Sequence, residues 1–319
     1  MVSVIIPTYN YGLFIEETIK SVLEQTYTDF ECFIVDNGSN DNTSEIVKPY
    51  LADKRIQYYY LEIRNVSLAR NFALKKIQGE FIMFLDSDDL IEKDKLKESV
   101  KFLKENPNIN LVYGDMRYFK DGNKVQLFYN YDLTNHKPWM SYVSGTGKFL
   151  LDKILDGNFM VISSPVFRSK IVNMYELFDE SIIYNEDWDF WMRILLNNNA
   201  FEFKNLYNAK TLIRIHTNSV SKDVFKMQMC GLMVLLKNRK KIISFDLENK
   251  LNQKIEAHKR ILLSTLSISK PSLFHKRIEL LKDKQLFSEV ITVQFSNERL
   301  LKLYVKILNL YTRLCQKIF

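Results

Sequence analysis

The sequence predicts an α/β fold: a mixed, mainly parallel central sheet wound with helices, followed by an α-helical carboxyl-terminal region. Three observations carry this. The first 90 residues alternate short apolar runs with amphipathic segments four times, the pattern of strand–helix–strand units in a parallel sheet. The run Phe81-Ile82-Met83-Phe84-Leu85 is apolar throughout and ends at Asp86-Ser87-Asp88-Asp89, as expected for a strand buried on both faces with a polar loop beyond it. Charge also changes sign along the chain. Residues 1–219 carry 25 Lys+Arg against 30 Asp+Glu, a net −5, and residues 220–319 carry 20 against 8, a net +12. That change sets the boundary between a domain over 1–219 and a basic helical region over 220–319.

The elements follow in order. Val2 to Ile6 is a buried strand that Pro7 ends, since proline cannot donate to a ladder. Thr8-Tyr9-Asn10-Tyr11-Gly12 is a turn, and residues 14–23 have helical spacing. A second strand over 30–35 runs into Asp36-Asn37-Gly38-Ser39-Asn40-Asp41, which is dense in turn formers and helix N-caps. Residues 44–51 read as a helix and 56–61 as a strand. A helix from Asn65 to about Ile77 precedes Gly79 and the central strand. Beyond Asn106 the pattern loosens, with strands over 111–115 and 125–129 and a loop over 130–147 containing Trp139 and Tyr142, of the length used for substrate lids. A helix over 149–155 and a strand over 160–164 that stops at Pro165 follow. The basic region reads as helices over 224–243, 247–266 and 297–319.

Composition sets bounds. With 319 residues and 46% hydrophobic content the chain can bury a sizeable core, and 9 Gly and 6 Pro are too few for long disordered linkers. The three cysteines, Cys32, Cys230 and Cys315, show no metal-ligand spacing and imply no disulfide framework. No signal segment and no apolar run of membrane-spanning length is evident, so a cytoplasmic location is expected. A Gly-x-Gly-x-x-Gly after the first strand and a Walker-type loop are both absent, which disfavours dinucleotide binding and P-loop chemistry.

Three stretches hold candidate chemistry. Asp86, Asp88 and Asp89 lie beyond the carboxyl end of a central strand, where open α/β sheets bind ligands. Crowded carboxylates suit a hard cation, Mg²⁺ or Mn²⁺, that also takes phosphate oxygens; the alternative is an acidic turn capping the next helix, near residues 91–104. Glu186-Asp187 opens a helix whose apolar face is Trp188, Trp191, Ile194 and Leu195, and acids in a first turn are also favoured by the helix dipole alone. Arg214 and His216 share one face of a short strand.

In combination these motifs resemble family-2 glycosyltransferases of the GT-A fold, of the kind found in bacterial polysaccharide biosynthesis. The similarity covers about residues 1–219, with a nucleotide-binding half over 1–115 and an acceptor half over 116–219. Val4-Ile5-Ile6-Pro7-Thr8-Tyr9-Asn10 resembles the family's first strand and nucleotide loop. Val35-Asp36-Asn37-Gly38-Ser39-x-Asp41 resembles its second loop, with Asn37 replacing an acid. Asn65-x-Ser67-x-Ala69-Arg70-Asn71 is a compressed form of a third motif. Asp86-Ser87-Asp88 matches the Asp-x-Asp metal motif, Glu186-Asp187 the catalytic acid pair, and Arg214-x-His216-x-x-Ser219 a late motif of many bacterial members.

The resemblance implies roles. Pro7, Thr8, Tyr9, Asn10, Asp36, Asn37, Arg70, Asp86 and Ser87 line the nucleotide-sugar site, with Asp36 accepting a hydrogen bond from the base and Asp86 contacting the ribose. Asp88 and His216 hold the divalent metal, Mn²⁺ or Mg²⁺, and Arg214 touches the diphosphate. Asp187, paired with Glu186, is the general base. The implied activity is inverting transfer from a nucleotide-diphosphate sugar, expected to be UDP-linked, to a hydroxyl of a glycan or lipid-linked glycan. A Gln-x-x-Arg-Trp motif is absent, so transfer is expected to be non-processive. The alternatives are a non-catalytic nucleotide- or glycan-binding scaffold and a sugar nucleotidyltransferase. On a helical wheel Arg299, Lys302, Lys306, Arg313 and Lys317 fall on one side of the last segment. This suits peripheral contact with the inner membrane face, with packing on the domain or a homodimer as the other expectations. Few aromatics interleave with these cations, which argues against nucleic acid.

Overall fold

The computed structural model describes residues 1–133, 138, 140–174, 177–198, 200–217, 222–291, 301–303, 305 and 306. The chain divides into two compact units, Met1–Ser219 and Val220–Phe319.

The first unit is a mixed α/β layer structure. Strands β1 (Val2–Thr8), β2 (Phe30–Asp36) and β3 (Ile56–Tyr60) pair in parallel, and β4 (Phe81–Phe84) pairs in parallel on the other side of β1. Every residue of β1, β2 and β4 is buried, because helices cover both faces. α1 (Ile15–Leu23) turns Ile15, Thr18, Ile19 and Val22 inward, the spacing of one helical face. α2 (Thr43–Val47) passes into a 3₁₀ turn at Lys48–Ala52 where Pro49 enters. α3 (Val66–Leu74) is capped by Asn65, whose side chain accepts the Leu68 N–H at 3.1 Å.

The sheet then becomes mixed. Its order is β3-β2-β1-β4-β9-β6-β10-β5, where β5 is Leu90–Ile91, β6 Leu111–Lys120, β9 Pro165–Arg168 and β10 Glu202–Ile215. β7 (Asn123–Phe128) pairs with β6, and β8 (Gly145–Thr146) with β10. β9 runs antiparallel between β4 and β6, which are therefore parallel to each other, and β6 pairs in parallel with β10. The carboxyl ends of β1, β2, β4 and β10 therefore open on one sheet edge, which brings Thr8, Asp36, Asp86 and His216 to the same rim.

Several expectations are corrected. The strand expected over 160–164 instead starts at Pro165, since proline is tolerated as a first strand residue, and the hydroxyls of Ser163 and Ser164 hydrogen-bond Asp89 and Gly114. Residues 90–91 form β5 against Thr211 and Leu212, and the following helix, α4 (Lys95–Glu105), starts later than expected. β10 is 14 residues long rather than a short strand at its end. It bulges: Leu206 pairs with Gly114 and Thr211 with Met116, so four residues of β10 face one of β6.

A buried lysine holds the bulge. Lys95 has no exposed surface, and its ammonium donates to the carbonyls of Ser164 (2.5 Å) and Ala209 (2.9 Å). Burial pushes it down to about 7. Gly114 lies opposite, where a Cβ would overlap the Ala209 carbonyl oxygen. α5 (Gly147–Asp156) and α7 (Glu186–Asn197) pack together on the unit, with the short α6 (Lys170–Met174) between them in sequence. α7 is fixed by aromatic contacts: Phe190 stacks on Phe178 at 4.3 Å, and Trp191 meets Phe167 edge-on at 5.3 Å.

The second unit contains α8 (Val224–Ile243), α9 (Glu248–Ser267), α10 (Pro271–Asp283) and α11 (Phe287–Val290). α8 and α9 agree with the sequence pattern to within a residue, whereas α10 was not expected. Gly231 of α8 allows close approach, since a Cβ there would overlap the His258 ring. Among the described residues no helix is long and apolar enough to cross a membrane. The helix expected over 297–319 lies outside the described residues, apart from 301–303, 305 and 306, which are helical. Residues 134–137, Trp139 and Ser219 are outside them as well.

Candidate active site

The first two rim loops are bound to each other by short-range hydrogen bonds. Asn10, at φ 55°, uses the left-handed region that asparagine tolerates. Its N–H donates to Ser39 Oγ at 2.8 Å, and its Oδ1 accepts the Asn40 N–H at 2.8 Å. The Gly12 N–H reaches Asp41 at 3.0 Å, and the Asn37 N–H reaches the Thr8 carbonyl at 2.9 Å. Pro7 is buried beneath this loop, while the Tyr9 ring lies under the Arg64 guanidinium at 4.2 Å. Asp36 is fully buried. Its carboxylate accepts the Ser39 N–H and the Tyr58 hydroxyl, both at 2.8 Å. Thr8 Oγ1 and Asn37 Oδ1 are buried without a hydrogen-bond partner. Polar atoms left so in a native fold usually await a ligand or water.

The acids after β4 point three ways. Asp86 meets Arg70 at 2.8 Å; Asp89 turns inward to the Ser163 hydroxyl at 2.6 Å and the Arg214 N–H at 3.2 Å; Asp88 turns toward His216 Nε2 at 2.9 Å. The Thr18 hydroxyl fixes the loop through the carbonyls of Ser87 (3.0 Å) and Asp89 (2.9 Å). Asp89 is pushed well up by burial and then by Asp88 and Asp86. Asp86 rises to about 6, by burial against the opposing pull of Arg70, with Asp88 and Glu186 adding to the rise. Asp89, which the sequence leaves as part of a crowded acidic run and assigns to no ligand, braces the loop from inside.

His216 is 4% exposed in its side chain and packs on Phe14 at 4.7 Å and Tyr11 at 5.8 Å. Tyr11 has its hydroxyl pushed up by burial and by Asp88, Asp86 and Asp89, so it borders the acid cluster. Arg214 is occupied elsewhere: its guanidinium donates to Glu17 (2.6 Å), Asp121 (2.7 Å) and the Asp88 carbonyl (2.9 Å). It steadies the loop carrying Asp88, and a diphosphate would compete with two carboxylates for it.

The acid pair Glu186 and Asp187 opens α7 after Asn185, whose φ of 58° turns the chain into the helix. Glu186 accepts Arg70 Nη1 at 2.7 Å, so one buried guanidinium joins Glu186 at the start of α7 to Asp86 after β4. Asp187 accepts the Trp188 N–H at 2.7 Å and the Asn158 side-chain amide at 2.8 Å. Burial and the neighbouring Glu186 push it up to about 7, against the opposing pull of Arg70. A carboxylate near neutrality is suited to take a proton. Asp189, also in the first turn, instead pairs with Arg193 at 2.7 Å inside the fold.

A divalent cation fits the donor set at the rim. Asp88 and His216 converge, and among the described residues no group of three or more His, Cys, Asp or Glu side chains forms a complete cage. Two such protein ligands would leave coordination positions for phosphate oxygens and water, the habit of Mg²⁺ and Mn²⁺ at nucleotide sites. Tyr11, Thr18, Asn158 and Ser163 were missed in the sequence. Tyr11 lies within the first loop already singled out, and Asn158 and Ser163 lie in the 156–165 loop expected to shape the donor-sugar pocket, while nothing in the pattern marks Thr18.

Comparison with known proteins identifies relatives by sequence and by fold. An Escherichia coli protein named UDP-Glc:alpha-D-GlcNAc-diphosphoundecaprenol beta-1,3-glucosyltransferase is 30% identical over 71% of this chain and 81% of its own. An uncharacterized glycosyltransferase of Rickettsia conorii is 43% identical over 39% of this chain, a match that covers 20% of that longer protein. Among solved structures, Staphylococcus aureus TarS 1–349 in complex with UDP-GlcNAc aligns with a TM-score of 0.61 and 23% identity over 91% of this chain and 76% of that one. A Pyrobaculum calidifontis mannosyltransferase in complex with GDP-Man and Mn²⁺ aligns with a TM-score of 0.58 and 15% identity over 98% and 87%. The fold is GT-A. The profile of glycosyl transferase family 2 matches residues 3–169, and with the rim geometry above it places the chain in that family: this protein is a family-2 glycosyltransferase.

Proposed function

We propose that the chain is an inverting, metal-dependent transferase that moves one sugar per encounter from a nucleoside-diphosphate donor, of the UDP class, to a hydroxyl of a glycan or lipid-linked glycan. The observation that carries this reading is the Arg70 bridge, with Asp86 on the donor side and Glu186, next to Asp187, on the other. The unpartnered Thr8 and Asn37 oxygens and the Tyr9–Arg64 stack form the nucleoside end. Asp36 orders the Ser39 loop and Tyr58 around it, and Ser87 and Asp86 border the ribose. Asp88 and His216 hold the cation, which when bound offsets charge on the diphosphate leaving group. Asp187 takes the proton of the acceptor hydroxyl as its oxygen attacks the anomeric carbon from the face opposite the leaving group. Arg70 opposes the upward shift of Asp86 and Asp187 and so favours their ionised forms. Residues 220–319, at net +12, favour contact with anionic lipid where a lipid-linked acceptor would lie.

The test is nucleotide release from a panel of UDP- and GDP-sugars with Mn²⁺ or with chelator. Slow hydrolysis of one donor, lost with chelator and in Asp88→Ala and Asp187→Asn, supports the proposal. Nucleotide binding without turnover, even with candidate acceptors, supports a scaffold instead.

A further inference from the structure

The loop after α5 reaches back to the residue assigned as base. Gly157, at φ 147°, ends the helix in a conformation that side chains rarely adopt. Asn158 follows and donates from Nδ2 to Asp187 Oδ2 over 2.8 Å. Its amide oxygen accepts the Met160 N–H at 3.4 Å, an arrangement that one orientation of the amide satisfies. The other oxygen of Asp187, Oδ1, takes the Trp188 N–H at 2.7 Å. The same two segments are joined a second time, because Trp188 Nε1 donates to the Ile154 carbonyl at 2.7 Å. Separating them would leave a buried indole N–H unpaired.

We propose that Asn158 is the positioning residue for Asp187: its neutral amide fixes the carboxylate rotamer and leaves one acceptor position on each oxygen for the incoming hydroxyl. The inference rests on the reading of Asp187 as base. The charged groups acting on that carboxylate are Glu186 from its own helix, Arg70 from α3 and Asp86 from the loop after β4. Arg70 already serves the other two acids. A second cation in place of Asn158 would pull Asp187 toward the ordinary carboxylate range and weaken it as a base. An amide holds the group without neutralising it.

The experiment compares wild type, Asn158→Ala, the isosteric Asn158→Asp and Asp187→Asn. One readout is the ¹³C titration of aspartate carboxyls in labelled full-length protein, with Asp187→Asn as the assignment control. The other is the pH profile of UDP release from UDP-glucose with Mn²⁺. Loss of the donated hydrogen bond moves the Asp187 midpoint upward by about one unit in Asn158→Ala. Asn158→Asp moves it further, because two facing carboxyls share a proton. UDP affinity stays at the wild-type level in both. An Asp187 titration unchanged in both variants overturns the positioning role. Wild-type turnover in Asp187→Asn overturns the base assignment and this inference with it. An inactive Asp187→Asn beside unshifted Asn158 variants overturns the inference alone.

Discussion

Replacing Arg70 by methionine removes the cation that joins the two sides of the site. The guanidinium is 1% exposed and meets Asp86 at 2.8 Å and Glu186 at 2.7 Å. Breaking a buried ion pair costs about 3–5 kcal/mol, because the partner charge stays behind without compensation. Glu186 exposes 14% of its side chain and bears most of this, while Asp86, at 39%, can recover part of its hydration. The lower end, about 3 kcal/mol, is therefore expected at pH 8. In a unit of this size that corresponds to a fall in Tm of about 6–12 °C. The pH dependence has a definite sign. Arg70 lowers both Asp86 and Asp187, so its loss raises their folded pKa values further above the unfolded ones. The extra penalty is then present above the folded pKa and fades as acid protonates these groups. Thermal unfolding at pH 8 and pH 5 measures this, with a smaller gap between variant and wild type at pH 5. Arg70→Lys keeps the charge but loses the fork that spans two carboxylates, so it falls between the two. A Tm within 2 °C of wild type at pH 8 for Arg70→Met, or a gap that widens toward acid, would refute the reasoning.

Other outcomes follow from the same geometry. Asp187→Asn raises Tm at pH 8 and not at pH 4. The folded pKa of about 7 lies above the unfolded value, so ionisation costs the wild type stability above that range and nothing below it; melts across pH check this. Asp88→Asn and His216→Ala reduce UDP affinity in Mn²⁺, measured by calorimetry, to the level seen with chelator, while wild type in chelator is no tighter than the variants. Gly114→Ala places a methyl on the Ala209 carbonyl beneath the Lys95 contact and destabilises the fold by about 3 kcal/mol or more in denaturant unfolding.

Much of the nucleotide half was legible because its strands are buried on both faces and carry continuous apolar runs, as in Val2–Thr8 and Phe81–Phe84. The acids beyond them stood out against that background. The second half was harder to read. β10 alternates irregularly through Asn205, Asn208 and Lys210, since its bulge breaks the period of two. Lys95 looks like a surface residue at a helix start, yet lies fully buried because two carbonyls of distant segments receive it. Asp86, Asp88 and Asp89 looked like one set, and only the fold supplies Arg70, His216 and Ser163 as separate partners. Arg214 carries no local sign that Glu17 and Asp121, far away in sequence, claim its guanidinium. Asn158 is a lone asparagine after a glycine, and its meaning comes from the packing of α5 against α7.

The central claim is that Asp187 activates the attacking hydroxyl on the face opposite the leaving group. The most direct measurement is the anomeric configuration of the first sugar product, followed by proton NMR before mutarotation, using the donor that turns over. An α-linked donor giving a β product is the predicted result. A product that retains the donor's configuration would contradict the assignment of Asp187 as the base of a single displacement.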